Sequence, residues 1–259
     1  MENKIYIIGV NYGTSNLIIP WYNSVVDKAP QASLVVVNNY HSSEENERVN
    51  KIVKDLDITL ISSENVGYGR ALNKAINKIK SEISDGENVI FLCGNLDIKF
   101  KEIPKTFAVG KKAYVPVVSE LGKNRNPFIT KIQKRFLPLH KLSINTNNII
   151  VFMGVITILK ILSFIPSKIW ATHGSLFCFN SSCLCDDENI FNEDTFLYSE
   201  ELEFASYIES IGAKFVNTSL TYEHMAHAAT FSIISDKSRF FEVWKPGFIN
   251  WLKRWSFDK

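Results

Sequence analysis

Between Leu121 and Cys185 the chain has no aspartate and no glutamate. Eight cations fall in that stretch: Lys123, Arg125, Lys131, Lys134, Arg135, Lys141, Lys160 and Lys168. The block is therefore +8 in a protein of net charge +2, and the remainder is about −6. Average charge usage does not give so long a gap, and a basic surface suits phosphate groups or an anionic membrane. Cysteine is also sparse. Cys93, Cys178, Cys183 and Cys185 lack paired C-x-x-C spacing, which argues against a zinc site and for reduced thiols in a cytoplasmic protein. The spacing G-x-G-x-x-G is missing, and no lysine follows the glycines as it would in a P-loop. No internal repeat or low-complexity segment appears. The start, Met-Glu-Asn-Lys before Ile5–Val10, is too short for a signal h-region and reads as a buried first strand. A convincing membrane span is missing too. Ile149 to Pro166 is apolar but interrupted by Lys160, where a span needs about 20 apolar residues, so a helix in the interface or against the core is expected.

What is present is enough for a full core: 259 residues, 46% of them hydrophobic. Up to about Pro116, short apolar runs alternate with helical segments. Strands are predicted at Lys4–Val10, Leu34–Val37, Ile58–Ile61 and Val89–Leu92, and helices at Leu17–Asp27, Glu44–Leu56 and Tyr68–Ile83. This is the rhythm of βαβ units and a parallel sheet, whose ligands sit beyond the carboxyl ends of the strands. After the basic block, Trp170–Phe179 reads as one strand, Glu200–Ile211 as a helix capped by Gly212, and Lys214–Val216 and Leu220–His224 as two short strands. The end is rich in aromatics and bases. Trp244, Trp251 and Trp255 would share a helical face, but Pro246 and Gly247 should break that helix and leave Ile249–Phe257 as a membrane anchor. The packing of these tryptophans over the rest of the chain is the alternative.

Four patches point to chemistry. Asn65-Val-Gly67-Tyr-Gly69-Arg70 lies between a strand and a helix, where glycine freedom and a helix N-terminus favour a phosphate and Arg70 adds a charged donor. Its plainer reading is a turn that starts a helix. Asp97 follows a buried strand, two residues after Asn95, and is placed to hold Mg²⁺ or Mn²⁺ on a diphosphate, or simply to make a turn. Glu200, Glu201 and Glu203 open a helix; they either offset its dipole or crowd one another so that one serves as a general base. His224 and His227 are metal-ligand candidates or structural histidines.

Together the patches resemble family 2 glycosyltransferases, in particular the rhamnosyltransferase-like branch that builds bacterial cell-surface polysaccharides of the O-antigen and capsule type. The resemblance rests on Val10-Asn11-Tyr12, Val36-Val37-Asn38-Asn39, Asn65 through Asn73, Gly94-Asn95-Leu96-Asp97, Phe196-Leu-Tyr198-Ser-Glu200-Glu201-Leu-Glu203 and His224 to Thr230. It fails in the acid-free middle. It implies a GT-A type α/β fold over residues 1–235, with residues 120–169 as a basic insertion and residues 236–259 as an amphipathic helical tail. It also implies inverting transfer of a sugar from a nucleoside-diphosphate donor, dTDP-rhamnose or a UDP-sugar, to a lipid-linked or oligosaccharide hydroxyl. Glu201, with Glu200, would supply the base. Asp97 and His224 would hold Mn²⁺ or Mg²⁺. Asn11, Tyr12, Asn38, Asn39, Asn65, Gly67, Arg70, Asn73 and Asn95 would contact the donor, and His173, Gly174, Ser175 and Glu203 the sugar or acceptor. The implied partners are the nucleotide sugar, a lipid-diphosphate-linked saccharide and an anionic membrane surface on the cytoplasmic side, with no nucleic acid. Three departures stand out: Glu201 where the family has aspartate, Leu96 where it has proline, and no carboxylate at Asn38–Asn39. They leave room for a catalytically inactive relative that acts as a membrane-associated binding partner. A sugar nucleotidyltransferase is disfavoured, because Gly9-Val-Asn-Tyr-Gly-Thr has no basic residue.

Overall fold

The computed structural model describes residues 3–84, 86–120, 123–124, 129–186, 188–225 and 237–255. The first half alternates as expected: β1 (Lys4–Asn11), α1 (Ile18–Val26), β2 (Ser33–Tyr40), α2 (Ser43–Val53), β3 (Thr59–Glu64), α3 (Tyr68–Lys80) and β4 (Val89–Asn95). Strands β1, β2 and β4 are buried along almost their whole length, which explains their unbroken apolar runs: helices cover both faces. Local signals fix the helices. Ser42 caps α2 by accepting from the Glu45 amide at 3.2 Å, with Glu44 and Glu45 in the positive first turn. In α3, Ala71, Leu72, Ala75, Ile76 and Ile79 form a buried stripe at three- and four-residue spacing.

After β4 come β5 (Ile98–Glu102), β6 (Lys112–Glu120), the two-residue β7 (Lys123–Asn124) and β8 (Ile129–Thr130). Three helices follow: α4 (Lys131–Phe136), α5 (His140–Thr146) and α6 (Ile149–Leu162). The chain then returns through β9 (Ile169–Ala171) and β10 (Leu176–Asn180), and closes with α7 (Glu200–Ser210), β11 (Lys214–His224) and α8 (Lys237–Arg254). The main sheet runs β3-β2-β1-β4-β10-β6-β11-β5, with β7 on β6. Pairings among β1 to β4 and between β6 and β11 are parallel, while β10 and β5 run antiparallel to their neighbours. From β1 the chain winds outward through β2 to β3, and β4 lies on the other side of β1. The crevice at the carboxyl ends of β1 and β4 is the switch point where such sheets take ligands.

Two apolar clusters lie on the two faces of the sheet, and a third joins α6, α7, β9 and α8. The third corrects the expectation for the C-terminal segment. Phe241, Trp244, Phe248 and Trp251 form a helical stripe, buried to 9% exposure or less against Phe152, Trp170 and Leu202. Protein side chains cover the tryptophans assigned to a membrane, so α8 belongs to the core. Pro246 does not break it. Gly247 instead lets α8 approach the Leu197–Tyr198 backbone: a Cβ there would meet the Tyr198 carbonyl oxygen at 2.4 Å.

Two further expectations change. Trp170–Phe179 is two strands joined by Thr172–Ser175, and Lys214–His224 is one strand with an irregular register between Asn217 and Thr221. The run at 149–166 forms the 14-residue α6, about 21 Å long against a hydrocarbon layer of about 30 Å. No helix among the described residues is long and apolar enough to cross a membrane. Arg125, His227, Thr230 and Phe257 lie outside the described residues.

Candidate active site

A cavity of about 350 Å³ opens at the carboxyl ends of β1 and β4. Segments far apart in sequence wall it: Val10, Tyr12 and Thr14, then Tyr68, Asn95 to Asp97, Ile129, Thr172 to Ser175, then Leu197, Tyr198, Glu200 and Glu201, and last His224. A larger cleft of about 670 Å³, beside α7 and β11, is lined by Lys131, Lys168, Lys214 and Trp170. It holds none of the sequence-predicted site residues.

Asp97 sits in the two-residue turn between β4 and β5 and is 6% exposed. Its carbonyl accepts the Met225 amide at 2.8 Å, which ties the turn to the end of β11. That end carries His224, whose Nε2 lies 3.4 Å from Asp97 Oδ2, while Nδ1 is 3.9 Å from Glu120 Oε1. Asp97 Oδ1 is buried and has no hydrogen-bond partner. A buried, unsatisfied carboxylate oxygen beside an imidazole suits a divalent cation that takes its remaining ligands from a diphosphate and water. Among the described residues no group of three or more His, Cys, Asp or Glu side chains could by itself hold a metal. Leu96, at the family's proline position, is buried in the same core cluster as Trp21.

Across the cavity stands the N-terminus of α7. Tyr198 and Ser199 precede it at φ of 67° and 73°, a left-handed pair without glycine. Such backbone costs about 1–3 kcal/mol per residue and persists only where the surroundings enforce it. It delivers Glu200 and Glu201 to the cavity together. Burial first, then the Glu201 carboxylate, pushes Glu200 up to about 8. Burial raises Glu201 as well. Glu201 lies against Gly174, where a Cβ would stand 3.3 Å from its Oε2.

His173 and Ser175 enter from the β9–β10 connection. The Ser175 hydroxyl is 2.6 Å from His173 Nδ1 and 2.9 Å from the Tyr222 hydroxyl, and the Ser175 amide donates to the same Nδ1 at 3.3 Å. An Nδ1 that accepts from an amide sets the neutral ring's proton on Nε2. The His173 and His224 rings meet edge to face at 5.1 Å, so the chain Tyr222–Ser175–His173 runs up to the Asp97–His224 pair.

Of the predicted donor contacts, Tyr12 and Asn95 line the cavity. The rest do other work. Asn11 Nδ2 donates to Asn38 Oδ1 at 2.9 Å and Asn38 Nδ2 to Asn46 Oδ1 at 2.9 Å, while Asn39 Nδ2 donates to Asn65 Oδ1 at 2.9 Å. These amides are spent on one another. Asn73 grips the Phe191 backbone through both of its polar atoms, at 2.8 and 3.2 Å. Arg70 donates to the Glu193 carbonyl. Gly67, expected in a phosphate cradle, packs against the same loop. A Cβ on Gly67 would lie 2.3 Å from the Phe196 carbonyl oxygen, which accepts the Tyr68 amide at 3.2 Å. This turn therefore clamps the 191–196 loop that leads into the strained Tyr198–Ser199 pair. Glu203, predicted to meet sugar or acceptor, turns away from the cavity. Its Oε2 accepts from Arg254 at 3.1 Å and Trp255 at 2.7 Å, tying α7 to α8.

Sequence reasoning missed Tyr68, Thr172 and Tyr222. Tyr222 falls at the second position before His224 and so shares its strand face, a period-2 signal legible once β11 is read as continuous. Burial raises its hydroxyl well above the usual tyrosine range.

No protein-family model and no curated protein matches the sequence. Solved structures do, and the fold they share is that of GT-A glycosyltransferases. TarS of S. aureus matches at 14% identity and a TM-score of 0.51, over 93% of this chain and 38% of that one. The mannosyltransferase PcManGT of Pyrobaculum calidifontis, in complex with GDP-Man and Mn²⁺, matches at 16% and 0.52, over 88% of this chain and 59% of that one. TarS in complex with UDP-GlcNAc matches at 13% and 0.50, over 86% and 58%. The chain thus spans about two fifths to three fifths of their lengths, and at these identities the likeness is one of fold.

Proposed function

We propose that the protein is an inverting glycosyltransferase that moves a sugar from a nucleoside diphosphate to a hydroxyl acceptor. The supporting observation is one cavity, at the sheet's switch point, that Asp97, His224, Glu200 and Glu201 line together. Glu201 accepts the acceptor's hydroxyl proton as that oxygen attacks the anomeric carbon. The bond from that carbon to the diphosphate oxygen breaks, its electron pair leaves with the nucleoside diphosphate, and the configuration inverts. Glu200, pushed to about 8, keeps its proton at neutral pH and leaves the negative charge to Glu201. When bound on Asp97 and His224, Mn²⁺ or Mg²⁺ supplies positive charge to the departing diphosphate. His173 and Ser175 line the same cavity and contact the sugar or acceptor. The exposed Tyr12 ring at the rim offers a face for the nucleobase.

The finer reading is a rhamnosyltransferase-like enzyme using dTDP-rhamnose or a UDP-sugar on a lipid-diphosphate-linked saccharide, working at an anionic cytoplasmic membrane surface. It rests on the sequence motifs and the basic insertion. The test is a thermal-shift screen of nucleoside diphosphates and their sugars with and without Mn²⁺, followed by Glu201→Gln on the donor found. Turnover should fall about 10²–10⁴-fold with donor affinity nearly kept. Retained turnover in Glu201→Gln, with loss in Glu200→Gln, would move the base to Glu200. The inactive-relative reading predicts donor binding without slow donor hydrolysis.

A further inference from the structure

Of the fifteen exposed large apolar side chains among the described residues, eight fall between Phe136 and Ile165. The most open are Phe164 at 80%, Ile150 at 78%, Ile161 at 62% and Leu142 at 56%. Helix α6 explains how they are displayed. Phe152, with the partly buried Ile149, Met153, Ile156 and Leu159, packs into the third core, and Val155 is buried as well, whereas Ile150, Ile158 and Ile161 stay exposed. Monomeric surfaces rarely gather apolar side chains this densely without a partner.

The cations share this region. Arg135, Lys141 and Lys160 are exposed among these residues, and Lys131 and Lys168 flank them at the two ends of the excursion. No acidic residue lies anywhere from 121 to 185. A second copy docking face to face would set cation against cation, which disfavours a two-fold contact. An apolar crest ringed by lysine and arginine matches the headgroup layer of an anionic bilayer, with apolar side chains below the phosphates and cations among them.

We propose that the α5–α6 crest is a docking surface for an anionic membrane, with Leu142, Ile150, Ile161 and Phe164 entering the headgroup layer. The excursion that bears it leaves from β8 and returns through β9, and Ile129 of β8 and Thr172 just after β9 line the cavity. Its consequence for catalysis, that a lipid-borne acceptor reaches the cavity from this side, rests on the glycosyltransferase reading. The docking itself does not.

The test is flotation of the full chain with vesicles of phosphatidylglycerol and phosphatidylethanolamine, against pure phosphatidylcholine, at low and high salt. The protein should float only with the anionic vesicles and be partly released by salt. Ile161→Asp with Phe164→Asp should abolish flotation, and Arg135→Gln with Lys141→Gln and Lys160→Gln should weaken it about a hundredfold, at about fivefold per charge. These side chains are exposed, so unchanged thermal midpoints will show that the variants fold. No flotation of the wild type, or flotation untouched by the double aspartate variant, overturns the proposal. So does a concentration-dependent dimer that the aspartates dissolve, since it would give the crest to a second copy. Flotation without binding of any nucleoside diphosphate would support this surface and sink the transferase reading; binding without flotation would do the reverse.

Discussion

Glu200 makes a quantitative demand on stability. Its carboxyl is 5% exposed, its Oε1 has no hydrogen-bond partner, and burial with the Glu201 charge lifts it from 4.5 to about 8. Between those values the folded protein holds a proton that the unfolded chain has released, so stability falls as pH rises through the window. The contribution is complete below about 4.5 and its loss levels off above about 8. Over 3.5 units the linkage relation gives a loss of about 2.5 kcal/mol from pH 5 to 7, and about 1.4 kcal/mol more from pH 7 to 9. Glu200→Gln keeps the shape and removes the titration. Urea unfolding of both proteins, without metal or donor, at pH 5, 7 and 9 isolates the effect, because any constant cost of the amide cancels in the slope. The stability difference should move toward the glutamine variant by those amounts. A difference that stays flat from pH 5 to 9 would show that Glu200 is ionised throughout, and would remove the reason for giving the base role to Glu201 alone.

Other outcomes follow from the same geometry. Asp97→Ala and His224→Ala should each abolish the Mn²⁺-dependent part of the thermal shift given by a nucleoside diphosphate, and full activity in excess chelator would remove the metal from the reaction. Tyr222→Phe should leave the fold intact but free the Ser175 hydroxyl from its partner, lowering kcat more than it raises KM; an unchanged kcat would make the Tyr222–Ser175–His173 chain structural only. Gly247→Ala should destabilise the protein by about 1–3 kcal/mol, because the added methyl meets the Tyr198 carbonyl; a neutral result in urea would show that α8 can lift off that loop.

The sheet was legible because its central strands obey a purely local rule. β1, β2 and β4 are buried on both faces and therefore read as unbroken apolar runs, and α3 shows its stripe at helical spacing. What could not be read locally was anything decided by a distant partner. Pro246 and Gly247 are helix-breaking by propensity, yet the stripe from Phe241 to Trp251 gains a core made of distant residues such as Leu137, Phe152, Trp170 and Leu202, and that burial outweighs the break. The same stripe suggests a membrane anchor in sequence because apolar periodicity does not say whether lipid or protein covers it. The third core answers for the tryptophans and for Phe152 of α6, and it leaves Ile150, Ile158 and Ile161 of that helix exposed.

The site shows a sharper version of this limit. Motif matching put nine residues around the donor, and the cavity wall takes Tyr12 and Asn95 from them. The asparagines were good candidates because amides donate and accept, but that property also lets them pair with each other at buried strand ends, where an unpaired amide would cost a few kcal/mol. Asn11 with Asn38, and Asn39 with Asn65, are such pairs, and the second holds the Gly67 turn. Gly67 then receives the Phe196 carbonyl, Asn73 fixes the Phe191 backbone and Arg70 takes the Glu193 carbonyl. All three act on the loop that ends in the left-handed Tyr198–Ser199 pair, and Gly247 supports that pair from behind. The glycine-rich patch thus bears on the candidate chemistry at one remove: it holds in place the strained backbone that presents Glu200 and Glu201 to Asp97 and His224.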